Sequence, residues 1–256
     1  MLKRIFTNLT AGALISMFSA GLIHAQSEGN WEVDATSYFW LQGIHGDISA
    51  LGQNVGFKAT PGDLVGYANF GLSGAVFTRY KRLVVSNDIQ WTPLTIDKSG
   101  GTAIPLPPGW SVQVGYTPVV DTHEAGYRLI DRHGITIAGL AGVRHWHLGT
   151  ELTITPPAGG NVTKTGSSNW TDPLVGARIQ VPLTSRLSAT IIGDAGGWGA
   201  GSELDYQMVG ALSYRIKPRW SVDAGWRYLY DDYNPGNLHS RTAQSGLLLG
   251  VTYRIK

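Results

Sequence analysis

The chain of 256 residues contains no cysteine, which excludes disulfides, thiolate metal sites and a lipid-bearing cysteine anchor. Charge is also scarce. Lys, Arg, Asp and Glu supply 15% of the residues, against roughly 25% in ordinary soluble domains. A disordered chain or a coiled coil needs more charge than that. The formal net charge is only +2, too small to point to nucleic acid as a partner. Past the N-terminal segment, no run of 18 consecutive apolar residues occurs, so no membrane-spanning helix is expected there. What the chain does have is glycine, 34 residues, together with 9 Trp and 11 Tyr. That glycine content is nearly twice the roughly 7% average.

Residues 1–25 read as a targeting segment. Lys3 and Arg4 make a short positive start, Leu14 to Ile23 is mostly apolar, and Ile23-His24-Ala25 offers a small residue before Gln26. This is the pattern of a cleaved secretory signal peptide. A transmembrane anchor would need about 20 apolar residues, and Thr7, Asn8, Thr10 and Ser16 interrupt this stretch. Cleavage would leave one domain, 26–256, outside the cytoplasm. It would also remove Lys3 and Arg4 and no acid, leaving 18 basic against 18 acidic residues.

The rest of the chain alternates in polarity with period two, as strands do. Trp31, Val33, Ala35, Phe39 and Leu41 interleave with Glu32, Asp34, Thr36 and Tyr38. Near the C-terminus Leu247, Leu249, Val251, Tyr253 and Ile255 interleave with Gly250, Thr252 and Arg254. Ten such runs are found, at about 31–41, 67–81, 83–93, 117–130, 134–148, 170–182, 186–197, 203–216, 219–231 and 243–256. Connectors alternate short (Lys81-Arg82, Asp131–His133, Leu183–Ser185, Lys217-Pro218) and long (about 42–66, 94–116, 149–169, 232–242). Short periplasmic turns, long extracellular loops and an even strand count define the expected fold. It is an all-β, closed antiparallel transmembrane β-barrel of about ten strands, eight and twelve being the neighbouring counts, with both termini periplasmic. Tyr206 and Tyr214 are eight residues apart, as are Trp220 and Tyr228. At about 3.3 Å per residue and about 40° of tilt, that matches the roughly 25 Å apolar band between two aromatic girdles. Asn87 stands on this apolar face at mid-strand, which a local bulge or a different register would explain.

Parity turns the charges inward. Arg79, Arg128, Arg144, Arg178, Arg215, Arg227 and Arg254 face Glu32, Asp34, Asp88, Glu124, Asp172, Asp194, Asp205 and Asp223. Unpaired charge in a confined lumen is costly, so an ion-pair network is expected. A barrel of this size lies near the limit that side chains fill. Any passage would suit only ions or very small solutes.

Several segments resemble a known group. Gly142-Val143-Arg144-His145-Trp146 resembles a Gly-Val-Arg-Tyr-Trp strand. Asp172-Pro173-Leu174-Val175-Gly176-Ala177-Arg178 resembles a strand opening, and Gly193-Asp194-Ala195-Gly196-Gly197-Trp198-Gly199 a Gly-Asp-Val-Gly-Gly-Phe-Gly turn. Gly225-Trp226-Arg227-Tyr228-Leu229 with Asp232-Tyr233 resembles Gly-Tyr-Arg-Tyr-Leu plus Asp-Tyr. The group is a widespread family of uncharacterised outer-membrane β-barrel proteins of Gram-negative bacteria, matched best from about Gly126 onward. The resemblance implies architecture and no substrate. It implies outer-membrane lipid, lipopolysaccharide and the barrel-assembly machinery as partners. His145 stands where the group has an aromatic. The C-terminal Tyr253-Arg254-Ile255-Lys256 lacks the terminal aromatic of such barrels.

Chemistry-bearing constellations are few. His145 and His147 share one strand face with no third ligand evident, which reads as interfacial histidine and not a metal site. Barrel closure brings His45, Asp47 and Asp63 towards Asp231, Asp232 and His239, a rim where hydrolases place acid and His groups and where carboxylates suit calcium. Polar residues are, however, the ordinary furniture of such a rim. The Gly197–Gly201 stretch lacks the strand-to-helix context of a phosphate loop and reads as a tight turn. No catalytic residue, metal or cofactor is therefore assigned. The expected function is a structural or narrowly conducting barrel. Surface binding through long loops and rim hydrolysis are the alternatives.

Overall fold

The computed structural model describes residues 31–50, 53–60, 72–99, 109–236 and 238–256. The signal-peptide reading, Asp63 and residues 67–71 of the second alternating run lie outside them. The alternating runs become twelve strands: β1 (Trp31–Ala50), β2 (Gln53–Ala59), β3 (Leu72–Tyr80), β4 (Leu83–Trp91), β5 (Leu94–Ser99), β6 (Ser111–Arg132), β7 (Ile135–Thr155), β8 (Val162–Pro182), β9 (Leu187–Gly197), β10 (Leu204–Lys217), β11 (Trp220–Tyr233) and β12 (Leu238–Arg254).

All pairings are antiparallel, and β12 closes on β1 from Asp34↔Arg254 to Ala50↔Leu238. The other edge of β1 is shared. Its first part pairs with β3 (Trp31↔Tyr80 to Tyr38↔Ser73) and its last part with β2 (Ile44↔Ala59 to Ala50↔Gln53). In the same way β6 pairs with β4 between Val119 and Tyr127 and with β5 between Ser111 and Tyr116. Each of β2/β3 and β4/β5 is thus one interrupted stave, and the closed barrel has ten staves.

The long connectors differ from expectation. Much of 42–66, 94–116 and 149–169 is strand, because β1, β6, β7 and β8 run on into extended hairpins. In the β8 stretch Val162–Ser167 every residue is exposed, so both faces are wetted and the polarity alternation that marks a half-buried strand disappears. Backbone pairing continues regardless, as Ile154↔Val162 through Gly149↔Ser167 show. At the opposite end, tight turns such as His133-Gly134, with φ of 52° and 78°, have the left-handed backbone of a two-residue hairpin. The start of β1 and the end of β12 lie at this turn end, where Val33 N donates to Lys256 O at 2.9 Å.

The barrel is inverted in polarity relative to a water-soluble protein. Met208 points outward at 63% exposure, while the inward Arg144, Asp172 and Asp205 are at 0%. An outer surface of Leu129, Ile191, Leu212, Leu249 and Trp226 is what hydrocarbon solvates and water does not. Asn87 keeps the outward side, and β4 runs past it in unbroken register with both neighbours. No bulge rotates it. Instead its Oδ1 lies 2.8 Å from His123 Nδ1, and His123 Nε2 lies 2.9 Å from Asp121 Oδ2. On this apolar wall His123 thus links Asn87 and Asp121 through both of its ring nitrogens.

Candidate functional site: a stoppered lumen with a cavity beneath

Inward positions of β1, β6, β7, β8 and β11 carry large apolar side chains at the far end from the termini. Tyr38, Trp40, Ile44, Tyr116, Val120, Trp146, Leu148, Trp170 and Leu229 form one buried cluster. Trp146 and Trp170 stack at 5.5 Å, and Trp170 stacks on Tyr233 at 3.9 Å. These aromatics are a departure from expectation, which assigned Trp and Tyr to the outer girdles. The signal was present: Trp146 has the same parity as Arg144, and Trp40 the same as Tyr38.

Beside this cluster lies an ionic layer. Arg144 on β7 donates through Nε to Thr122 Oγ1 at 3.0 Å and through its terminal nitrogens to Asp194 at 2.8 Å and to Asp205. Asp205 also accepts from Trp146 Nε1 at 2.9 Å. The turn after β9 folds inward here. Gly197, Trp198 and Gly199 have φ of 88°, 49° and 78°, and a Cβ on Gly201 would sit 2.6 Å from Asp172 Oδ1. Glycine at 201 therefore lets Ser202 enter the lumen. Ser202 Oγ lies 2.8 Å from Asp172 and 2.5 Å from Asp231, and Trp170 Nε1 donates to it at 2.8 Å. Sequence reasoning had read this stretch as a plain tight turn and had placed Asp231 in a rim loop. Asp172, Asp205 and Asp231 bring carboxylate oxygens within 4.8 Å of one another. That is a hard-cation donor set, here occupied by Arg144, Trp146 and Ser202.

The remaining lumen charges divide into paired and unpaired. Asp88 accepts from Tyr38 Oη at 2.8 Å, from Gln90 at 2.9 Å and from Arg227 at 3.1 Å. Arg227 also donates to Gln207 at 2.5 Å and lies 5.3 Å from the centre of the Trp40 ring. Arg254 bridges Asp34 at 2.8 Å and Glu32 at 2.7 Å, Arg79 holds Glu32 at 2.5 Å, and Arg128 pairs with Asp131 at 2.9 Å. Asp223 is held by the hydroxyls of Ser213 and Thr252 and not by a cation. Arg178, Arg215 and Glu124 make no ion pair among the described residues. Arg178 lies instead over the Phe77 ring at 4.3 Å.

Below the ionic layer a cavity of about 370 Å³ reaches from Arg227, Asp88 and Glu124 down to the turns at Ser185-Arg186 and Pro218-Arg219. A smaller one of about 190 Å³ adjoins Phe77, Arg79, Arg128 and Arg178.

The rim constellation is not assembled as expected. Asp231 turns into the lumen, while Asp232 takes His239 at 2.7 Å and Arg241 at 3.1 Å. His45 is exposed. His145 lies 2.7 Å from Thr171 Oγ1 and His147 2.5 Å from Asn169 Oδ1, both pairs on the outer face.

No protein-family model matches the chain, and no curated protein does either. A solved outer-membrane barrel shares its fold. The outer-membrane protease OmpT from Escherichia coli superposes with a TM-score of 0.57 at 11% identity, over 88% of this chain and 97% of that one. Ail of Yersinia pestis, solved with the heparin analogue sucrose octasulfate, gives 0.37 at 12% identity over 88% and 99%. The toluene transporter TodX of P. putida gives 0.29 at 8% identity over 89% and 90%. These are outer-membrane β-barrel proteins of Gram-negative bacteria with differing roles.

Proposed function

We propose that this protein works as a stoppered barrel of the outer membrane, non-enzymatic and closed to free diffusion. In this reading residues 1–25 are cleaved on export, the assembly machinery inserts the barrel, and both termini stand in the periplasm. Lipid and lipopolysaccharide then solvate the outer wall. One observation carries the reading. Arg144, Asp194 and Asp205 meet across the lumen with side chains at 0% exposure, beside the stacked Trp146 and Trp170. A conducting pore needs a continuous wet path, and side chains withdrawn from solvent across the lumen support a closed one. Asp232 is shared between His239 and Arg241, which supports a charge-pairing, structural role for it at the rim.

Refolded protein in planar bilayers is expected to show no discrete conductance steps. Steps from the unaltered protein would overturn the closed reading and restore a narrow channel. The Arg144→Ala, Trp146→Ala double variant is expected to introduce them.

A second reading rests on the exposed β7–β8 hairpin. Its strands stay paired up to Ile154↔Val162, presenting a firm surface to a ligand or cell matrix. Loss of cell or matrix adhesion on trimming this hairpin would support that role, and unchanged adhesion would remove it.

A further inference from the structure

We propose that the cavity at the terminal end of the lumen binds a small zwitterion bearing one carboxylate and one ammonium group, with Arg178 and Glu124 as its two anchors. The cavity's other acids have internal partners. Glu32 and Asp34 are held by Arg79 and Arg254, Asp88 by Tyr38 and Arg227, and Asp223 by two hydroxyls. Arg178 and Glu124 line the same space and stay apart. Neither is within 4.0 Å of an opposite charge among the described residues. Arg178 Nε and Glu124 Oε1 are buried with no hydrogen-bond partner, and Glu124 is only 5% exposed. Buried polar atoms without partners are uncommon in native structures, and such exceptions point to a missing ligand or water.

Charge decides the ligand class. A simple anion at Arg178 would sit in the field of Glu124, Glu32 and Asp34, the acids whose charges act on this guanidinium. A simple cation at Glu124 would feel Asp194 and Asp88 as well as Arg144 and Arg178, and it would leave the Arg178 guanidinium without a counter-charge. A zwitterion answers both groups and leaves the lumen charge unchanged. Guanidinium takes a carboxylate through two parallel N–H donors, and a carboxylate takes an ammonium. Phe77, Ile192, Val209 and Leu248 on the cavity wall receive an apolar body. A space of about 370 Å³ falls within the usual range for small-molecule sites, roughly 300–1,000 Å³. The cavity reaches the Arg186 and Arg219 turns, the end from which such a solute would enter.

Isothermal titration of the refolded barrel in micelles, at low salt, tests this. The probes are L-leucine and L-phenylalanine, each beside its deaminated carboxylate and its decarboxylated amine. Saturable binding of at least one amino acid is expected, with both cognate analogues weaker by roughly tenfold or more, the size expected for a lost charge-assisted bond. Arg178→Gln and Glu124→Gln should each weaken the amino acid to a similar degree, with circular dichroism and thermal unfolding of each variant certifying the fold. Arg178→Lys, which keeps charge without the fork, should fall between. No saturation by either amino acid overturns the proposal. So does equal binding of a one-charge analogue, or unchanged affinity in both folded Gln variants. The conductance recording above is independent: a leaky barrel that still binds would fail the stopper reading alone.

Discussion

Arg144 shows how much a single buried guanidinium can hold together. Its side chain and those of Asp194 and Asp205 are fully withdrawn from solvent, so removing it strands two carboxylates. Arg144→Met is expected to lower the unfolding free energy of the micelle-refolded protein by about 3–5 kcal/mol, read from urea titrations. Gly201 is the counterpart in backbone terms. A methyl group there meets Asp172 Oδ1 at 2.6 Å and Thr171 O at 2.8 Å, which would push Ser202 out of its contacts with Asp172 and Asp231. Gly201→Ala should cost about 1–3 kcal/mol, and adding Ser202→Ala to it should cost little more, because the two changes remove the same contacts. The inward side of Arg144 was legible from parity alone. Its partners were not, because Asp194 and Asp205 lie across the lumen. Which groups meet there depends on barrel radius and stagger, and no strand carries that information by itself. The aromatic stopper was legible by the same parity, but Trp and Tyr also belong at membrane interfaces, and composition cannot separate the two uses.

Among the elements, staves and extensions behave differently. The ten staves were readable because one face meets apolar surroundings and the other a polar lumen, so polarity alternates. The hairpin beyond Leu148↔Ser168 has no such contrast. It is held by ladder bonds and Thr pairs such as Thr153–Thr163 at 2.9 Å. Two-stranded ribbons are marginal by themselves, so this one adds little to the whole. Replacing Glu151–Thr165, which leaves the Thr150↔Gly166 pair, by a short Asn-Gly turn should leave the thermal midpoint of the barrel within about 2–4 °C of the parent, a shift of roughly 1 kcal/mol for a domain of this size. A larger fall would mean that the hairpin supports the stopper below it. The Asn87–His123–Asp121 group has the opposite lesson. Parity placed Asn87 outward correctly, but only the pairing of β4 with β6 reveals that His123 stands opposite to satisfy it.

At the scale of the molecule, the lumen is graded from aromatic stopper through ionic layer to open cavity, and each level is made by different staves. That grading explains why a near-neutral charge count in the sequence said little about function. The total balances, yet among the described residues ion pairs form around Arg79, Arg128, Arg144, Arg227 and Arg254 and leave Arg178, Arg215 and Glu124 without one. The closing seam carries a further consequence, for the order of assembly. Along the barrel the other neighbouring staves are successive in the chain, so hairpins between them need little loop closure and can form early. The seam joins the first and last strands, β1 and β12, with Val33 N on Lys256 O and Ile255 N on Val33 O, and cannot form until every intervening stave is in place. Until then the sheet has two raw edges that invite mispairing. A circular permutant that links residue 256 to residue 31 and opens the chain at Gly159-Gly160 turns that last, long-range step into a local one. It should refold with the order of events exchanged, β1–β12 pairing early and the β7–β8 contact becoming the slow closure in its place.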